Sequence, residues 1–524
     1  MRETVFELGT HKTSEAEILR NAKMDHTWYR STRGDRDIVK SSMAILRGVA
    51  KDGGLYVPDY LPHLGYGLRE YARMTYEEIA KEIFSLFLTD YSQAEIHAAV
   101  DAVYKFGFGE KEVVPITCAN GAYFAELWQT PTLSDKDLSV ATLPLFMMLA
   151  KEKNVDRSKT VVVTATDGDS AKSVAESFKE IPDTEVMVFY PKDGVSHLQE
   201  LQLRTQDGDR VHVCAVDGTI DEIYGQMNRI LTDERLAGRM TEAGYRFATF
   251  NSVNIGRIIS QIVNYVFAYA CLFREGEIGE GYGINICVPT ADFGSLLAAY
   301  YAFGMGLPVN RLLQASNTNR AVADFIRTGV YDVNRPLKKT AEPAMDRLIA
   351  PNMERLVYTL GGDSPDKTLG MMNRLAREGC FEVSYDMKDA LSVFYAGFAS
   401  EADTAAAIRH LFADTGYLVD PRTAVAYTVH QKYLHETGDD TATLIMSTDS
   451  PFKFPAAVLN ALLGKALSDA GTGGNDFASA KKLSRLTEIP LPQQIRDLEN
   501  EEIRHSRICD TDGMLAEVKR ALKI

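Results

Sequence analysis

The chain reads as an α/β protein in which parallel sheets are flanked by helices, behind a helical N-terminal domain. Three observations predict this. After Val114, short β-branched runs recur, each ending in small or polar residues and followed by a helix-like pattern. The runs are nearly all apolar, as in strands covered on both faces of a parallel sheet. From Trp28 to about Phe108 the periodicity is helical instead, broken by the Gly-rich turn AKDGGLYVPDYLP.

In order, MRETVFELGTHKTSEAEILR reads as a short amphipathic helix without the apolar core of a secretory signal. Strands are expected at 160–166 (TVVVTAT), 185–191 (EVMVFYP), 211–219 (VHVCAVDGT), 284–290 (INICVPT), 311–316 (RLLQAS) and 442–448 (ATLIMST). The run IGRIISQIVNYVFAYACLF, 255–273, approaches membrane-span length, but Arg257, Gln261 and Asn264 recur along it. A buried amphipathic helix is expected there, and no membrane span. SDAGTGGNDFASAKK, 468–482, reads as a linker into a charged helical tail. The expected division is an N-terminal domain over 1–110, an α/β core of two subdomains over 111–467, and a linker with tail over 468–524.

A chain of 524 residues is too long for one ordinary core. Its net charge of -15 argues against a track for nucleic-acid phosphates. A phosphorylated small molecule remains compatible, held by backbone N–H groups and one or two cations. The six cysteines are scattered without a C-x-x-C pair, which fits a reducing cytoplasm and neither a zinc site nor a disulfide framework. The ten histidines form no metal-like cluster, and His430 and His435 are expected on a helix surface.

Two strand-to-helix loops suit anion binding through free N–H groups and the helix dipole: TATDGDSAKSVAESF and CVPTADFGSLLAAYYAFGMG. Each also reads as an ordinary capped turn. A lysine between two aspartates, Lys136 in ELWQTPTLSDKD, is by itself a solvated charge.

Together, YRSTRG, VAKDGGLYVPDYLP, ELWQTPTLSDKD, VFYPKDGVSHLQELQ, NSVNIGRIISQIVNYVFAYA, VPTADFGSLLAAYYAFGMGLP, EPAMDRLIAPNMERL, DPRTAVA and STDSPFKF occur in that order. They resemble the signature segments of the threonine synthase family in its long, yeast-like form, from about residue 28 to 462. The resemblance implies a pyridoxal-phosphate enzyme of the tryptophan-synthase-β fold type (fold type II). Such an enzyme converts O-phosphohomoserine and water to threonine and phosphate. It implies that Lys136 forms the Schiff base and that Thr448 faces the pyridine nitrogen. It further implies that Thr290, Ala291, Asp292, Phe293 and Gly294 cradle the cofactor phosphate. Substrate would be met by Thr166, Asp167, Gly168, Asp169 and Ser170, with Asn254 and Arg257. The implied partner is a small phosphorylated amino acid, with no nucleic acid, membrane or metal. The implied state is a cytoplasmic monomer or homodimer.

Departures from the family pattern fall on the same loops. Where the family reads ELFHGPTLAFKD, this chain has Gln129, Thr130, Ser134 and Asp135. Its TSGDTGSAA becomes TDGDSAKSV, and a carboxylate at Asp167 would repel an anionic substrate by about 4 kcal/mol at an effective dielectric near 20. Lys172 is expected to offset part of that. TGNFGD becomes TADFGS, adding a methyl at Ala291 where glycine freedom is expected and a carboxylate at Asp292. SPAMDI becomes EPAMDR. Two readings therefore stay open: a threonine synthase-like lyase, or a paralogue with another substrate or a catalytically silent binding role.

Overall fold

All six apolar runs are strands in the computed structural model, which describes residues 27–105, 107–108, 112–166, 170–248, 252–467 and 476–524. They sort into two sheets. The smaller runs in spatial order Arg507–Asp510, Val211–Asp217, Thr184–Pro191, Lys159–Ala165, Tyr245–Ala248, and every pairing in it is parallel. The larger runs Phe394–Phe398, Val309–Ser316, Ile284–Pro289, Thr443–Ser447, Ala122–Glu126, Ile116–Ala119. It is parallel except for its last pair. That pair is a hairpin turning at Asn120 (φ 47°) and Gly121 (φ 75°), the left-handed pair a two-residue turn requires. With helices on their faces, these sheets make an α/β fold of the tryptophan-synthase-β type.

The helix Ile255–Arg274 is long and apolar enough to cross a membrane, yet that window is buried inside the protein. Asn254 caps it, its Oδ1 accepting from Gly256 N at 3.0 Å. Asn264 on the same helix accepts from Tyr76 Oη at 2.7 Å. Of the polar residues that argued against a membrane span, Asn264 and Arg257, which donates to Ser139 Oγ at 3.1 Å, thus serve as buried hydrogen-bonding groups, whereas Gln261 is half-buried.

The N-terminal region is not wholly helical. Trp28–Ser31 pairs with Val39–Lys40 and Tyr56–Pro58 in a small antiparallel sheet. Strands this short carry too little alternation to register as periodicity. Arg33 ties this sheet to the core through Glu354 at 2.7 Å. The expected amphipathic helix at the N-terminus lies outside the described residues. So does 468–475 of the expected linker, whereas Asp476–Thr487 is already helix. The tail is also more than helical, since Arg507–Asp510 extends the smaller sheet.

Candidate active site

The lysine segment leaves the strand Ala122–Glu126 and turns at Leu133, whose φ is 61°. Asp137 fixes that turn. Its buried carboxylate accepts from Thr132 N at 2.7 Å and from Thr132 Oγ1 at 2.8 Å. Lys136 opens the short helix Lys136–Val140. The segment runs beside the end of Thr443–Ser447: Asp135 N donates to Thr448 O at 2.7 Å, and Ser450 N donates to Leu133 O at 3.1 Å. The backbone thereby holds Lys136 and Thr448 together. Thr448 is buried, and its hydroxyl has no hydrogen-bond partner among the described residues.

Both face a cavity of about 300 Å³ at the carboxyl ends of strands from the two sheets, where ligands bind in such folds. Of the expected site residues, Lys136, Ser170, Arg257, Thr290, Ala291, Asp292, Phe293 and Thr448 line it. Thr166, Asn254 and Gly294 do not. Asn254 is spent on its helix cap and on Ile45 O at 2.9 Å, and Thr166 N bonds Phe189 O at 3.0 Å. Asp167, Gly168 and Asp169 lie outside the described residues.

The second loop departs from expectation in an informative way. The left-handed residue is Phe293 (φ 67°), not Ala291, so the methyl of Ala291 costs no backbone freedom. Asp292 turns its Oδ1 onto Gly294 N at 2.8 Å, at the start of the helix Gly294–Gly304. Burial pushes the Asp292 carboxyl up, but Lys136, the Gly294 N–H, Arg257 and Arg347 outweigh it and hold it below its ordinary value. The expected carboxylate is therefore held in its ionised form by the groups around it. Its partner Arg347 is itself one of the departures, from EPAMDR, and it lines the same cavity.

Sequence reasoning missed the charge cluster on the lysine side. Arg422 Nη2 lies 2.7 Å from Glu342 Oε1, and its Nη1 lies 3.3 Å from Asp449 Oδ2 and 3.9 Å from Asp135 Oδ1. Lys136 Nζ sits 2.9 Å from Asp135 Oδ1, and Lys453 sits 2.8 Å from Asp449. Arg422 and Asp449 stood in quoted segments, but only the fold brings them to Asp135. Four further lining residues, Tyr224, Met227, Asn228 and Leu231, come from one face of Ile220–Thr232. Their spacing at i, i+3, i+4 and i+7 was the available signal.

Two lesser expectations change. His430 is buried rather than on a helix surface. Lys172 donates to Gln206 Oε1 at 2.6 Å and does not line the cavity.

Two parallel sheets that present a lysine and a helix start to one cavity define a class, the tryptophan-synthase-β-like α/β enzymes. A structure of pyridoxal-phosphate-bound threonine synthase from Brucella melitensis superposes with a TM-score of 0.81 at 25% identity, covering 95% of this chain and 99% of that one. The description "Threonine synthase N terminus" matches residues 28–104, and "Threonine synthase, C-terminal" matches 423–521. The threonine synthase of Schizosaccharomyces pombe is 31% identical over 466 residues, 83% of this chain and 89% of that one. The threonine synthase-like 1 protein of Pongo abelii is 30% identical over 461 residues, 85% of this chain but 61% of that relative's length. The chain belongs to the threonine synthase family.

Proposed function

We propose that the chain is a pyridoxal-phosphate-dependent carbon–oxygen lyase that converts O-phosphohomoserine and water to threonine and phosphate. The observation that carries this reading is the pairing, in one cavity, of the Lys136 amine with the buried hydroxyl of Thr448, which has no partner among the described residues. The residues fit the cofactor. A buried hydroxyl without a partner costs stability unless a ligand atom meets it, and a pyridine nitrogen is such an atom. Lys136 would hold the aldehyde carbon, and the turn Thr290, Ala291, Asp292, Phe293 and Gly294 would hold the phosphate against a helix start.

When bound, the cofactor supplies an electron sink for charge developing on the substrate carbons. The chain's own groups do the rest. Lys136, once neutral, moves protons at Cα and Cβ of the substrate. Thr448, a neutral partner, leaves the pyridine nitrogen unprotonated more readily than a carboxylate would. Arg257 and Arg347 bring positive charge to the anionic groups of the substrate. Thr166 to Ser170 and Asn254 are retained as proposed substrate-side residues, with Asn254 acting through the cap that sets Arg257. The same reading takes 1–110, 111–467 and 468–524 as the domains, and a cytoplasmic monomer or homodimer as the working form.

A second reading, a paralogue with another substrate or a silent binding homologue, draws on Asp292 occupying Gly294 N–H and Asp135 contacting Lys136. Incubation with O-phosphohomoserine separates the two. Phosphate and threonine should appear in equal amounts, and Lys136→Ala should abolish both. Cofactor binding without phosphate release would favour the second reading.

A further inference from the structure

We propose that Asp135 is a positioning residue that clamps the Lys136 amine and governs when that amine can join the cofactor. The inference rests on the pyridoxal-phosphate reading above. Both carboxylate oxygens of Asp135 engage Lys136 Nζ, at 2.9 and 3.1 Å. The clamp is rigid on the carboxylate side. Asp135 is 6% exposed, and its backbone N–H is tied to Thr448 O at 2.7 Å.

Positive charge stands on more than one side of the Asp135 carboxylate. Arg422 lies 3.9 Å from Asp135 Oδ1, but the same guanidinium also serves Glu342 at 2.7 Å and Asp449 at 3.3 Å. That guanidinium is shared among three carboxylates, and Lys136 adds positive charge directly on Asp135. Lys453 answers Asp449 at 2.8 Å. On the cavity side, Lys136 and Asp292 attract each other, with Arg257 and Arg347 also acting on Asp292. Behind Asp135 stands the neutral phenol of Tyr265, pushed up to higher pH by burial first and by Asp135 last.

Attachment has a defined proton balance. The ammonium first gives up one proton, to Asp135 or to solvent. Its nitrogen then forms a double bond to the aldehyde carbon, and the aldehyde oxygen leaves as water with the two remaining amine protons. A carboxylate touching the ammonium opposes the first loss, and an opposite charge within hydrogen-bond reach moves such a titration by about 1–3 pH units. The clamp therefore delays capture to higher pH while holding the amine at the cavity wall.

The test is Asp135→Asn, which keeps the shape and an acceptor oxygen but removes the charge. Pyridoxal phosphate is added across a pH series, the reaction is stopped with borohydride, and the pyridoxyl group on Lys136 is counted by peptide mass. The expected result is a midpoint lower by at least about 1 pH unit, hence about tenfold faster capture at a fixed pH below the wild-type midpoint. An unchanged pH profile overturns the inference and leaves the cofactor reading intact. Capture by neither protein at any pH overturns the cofactor reading, and the inference with it. A second measurement needs no variant: reductive methylation of the wild-type chain with labelled formaldehyde, followed residue by residue. Lys136 should need a pH at least about 1 unit higher than exposed Lys465. Methylation of Lys136 at the same or lower pH overturns the clamp.

Discussion

Asp292 Oδ1 accepts a hydrogen bond from Gly294 N at 2.8 Å, so the first N–H of the helix start expected to receive a phosphate is taken by the chain's own carboxylate. Asn can accept the same side-chain-to-backbone bond two residues on but carries no charge. Asp292→Asn should keep thermal stability nearly unchanged and tighten binding of pyridoxal phosphate by about tenfold or more, since a like charge a few ångströms away is removed. Fluorescence titration of both proteins checks this. Equal affinities would mean that Lys136, Arg257 and Arg347 already cancel the carboxylate in full.

The pair Arg422–Glu342 is buried on both sides, with side chains 3% and 4% exposed. Removing Glu342 takes away the nearest of the three carboxylates around a buried guanidinium. Glu342→Ala is expected to cost about 3–5 kcal/mol in denaturant unfolding. Replacement of an exposed pair member such as Arg69, 2.6 Å from Glu280, should leave the unfolding midpoint nearly unchanged.

Burial lowers the His430 imidazole from its ordinary value to about 4. The folded state thus holds the ring neutral where the unfolded chain, titrating near 6.5, takes up a proton. Its contribution is fully present above about pH 6.5 and is lost as pH falls towards 4, at about 1.4 kcal/mol per pH unit. His430→Gln should therefore lose less stability than wild type between pH 7 and 4, by about 3 kcal/mol. Parallel losses in the two proteins would contradict the burial account.

Much of this architecture was legible in the sequence because its strands are buried on both faces. Runs such as TVVVTAT and INICVPT announce themselves by continuous apolarity, and each sits where a strand forms. Phe394–Phe398 escaped notice since FYAGF is short and holds a glycine. The hairpin at Asn120-Gly121 carried a readable turn signal that apolar periodicity alone did not register. At the site, Lys136 and Thr448 could be named from the family resemblance. The compensation of Asp292 by Arg347 could not, because those residues are far apart in the chain and only the fold brings their charges together. For the same reason Arg422 stayed invisible until it met Asp135, Glu342 and Asp449. Charge at a single position reads as a departure; its balance is a tertiary property.

The central claim is that Lys136 carries the cofactor, and mass analysis after borohydride reduction tests it most directly. Purified protein supplied with pyridoxal phosphate and then reduced should yield one pyridoxyl-modified peptide, bearing the label on Lys136, and none from Lys136→Ala. Reduced wild-type protein with Lys136 unmodified, or with the label spread over exposed lysines such as Lys465, would contradict the account.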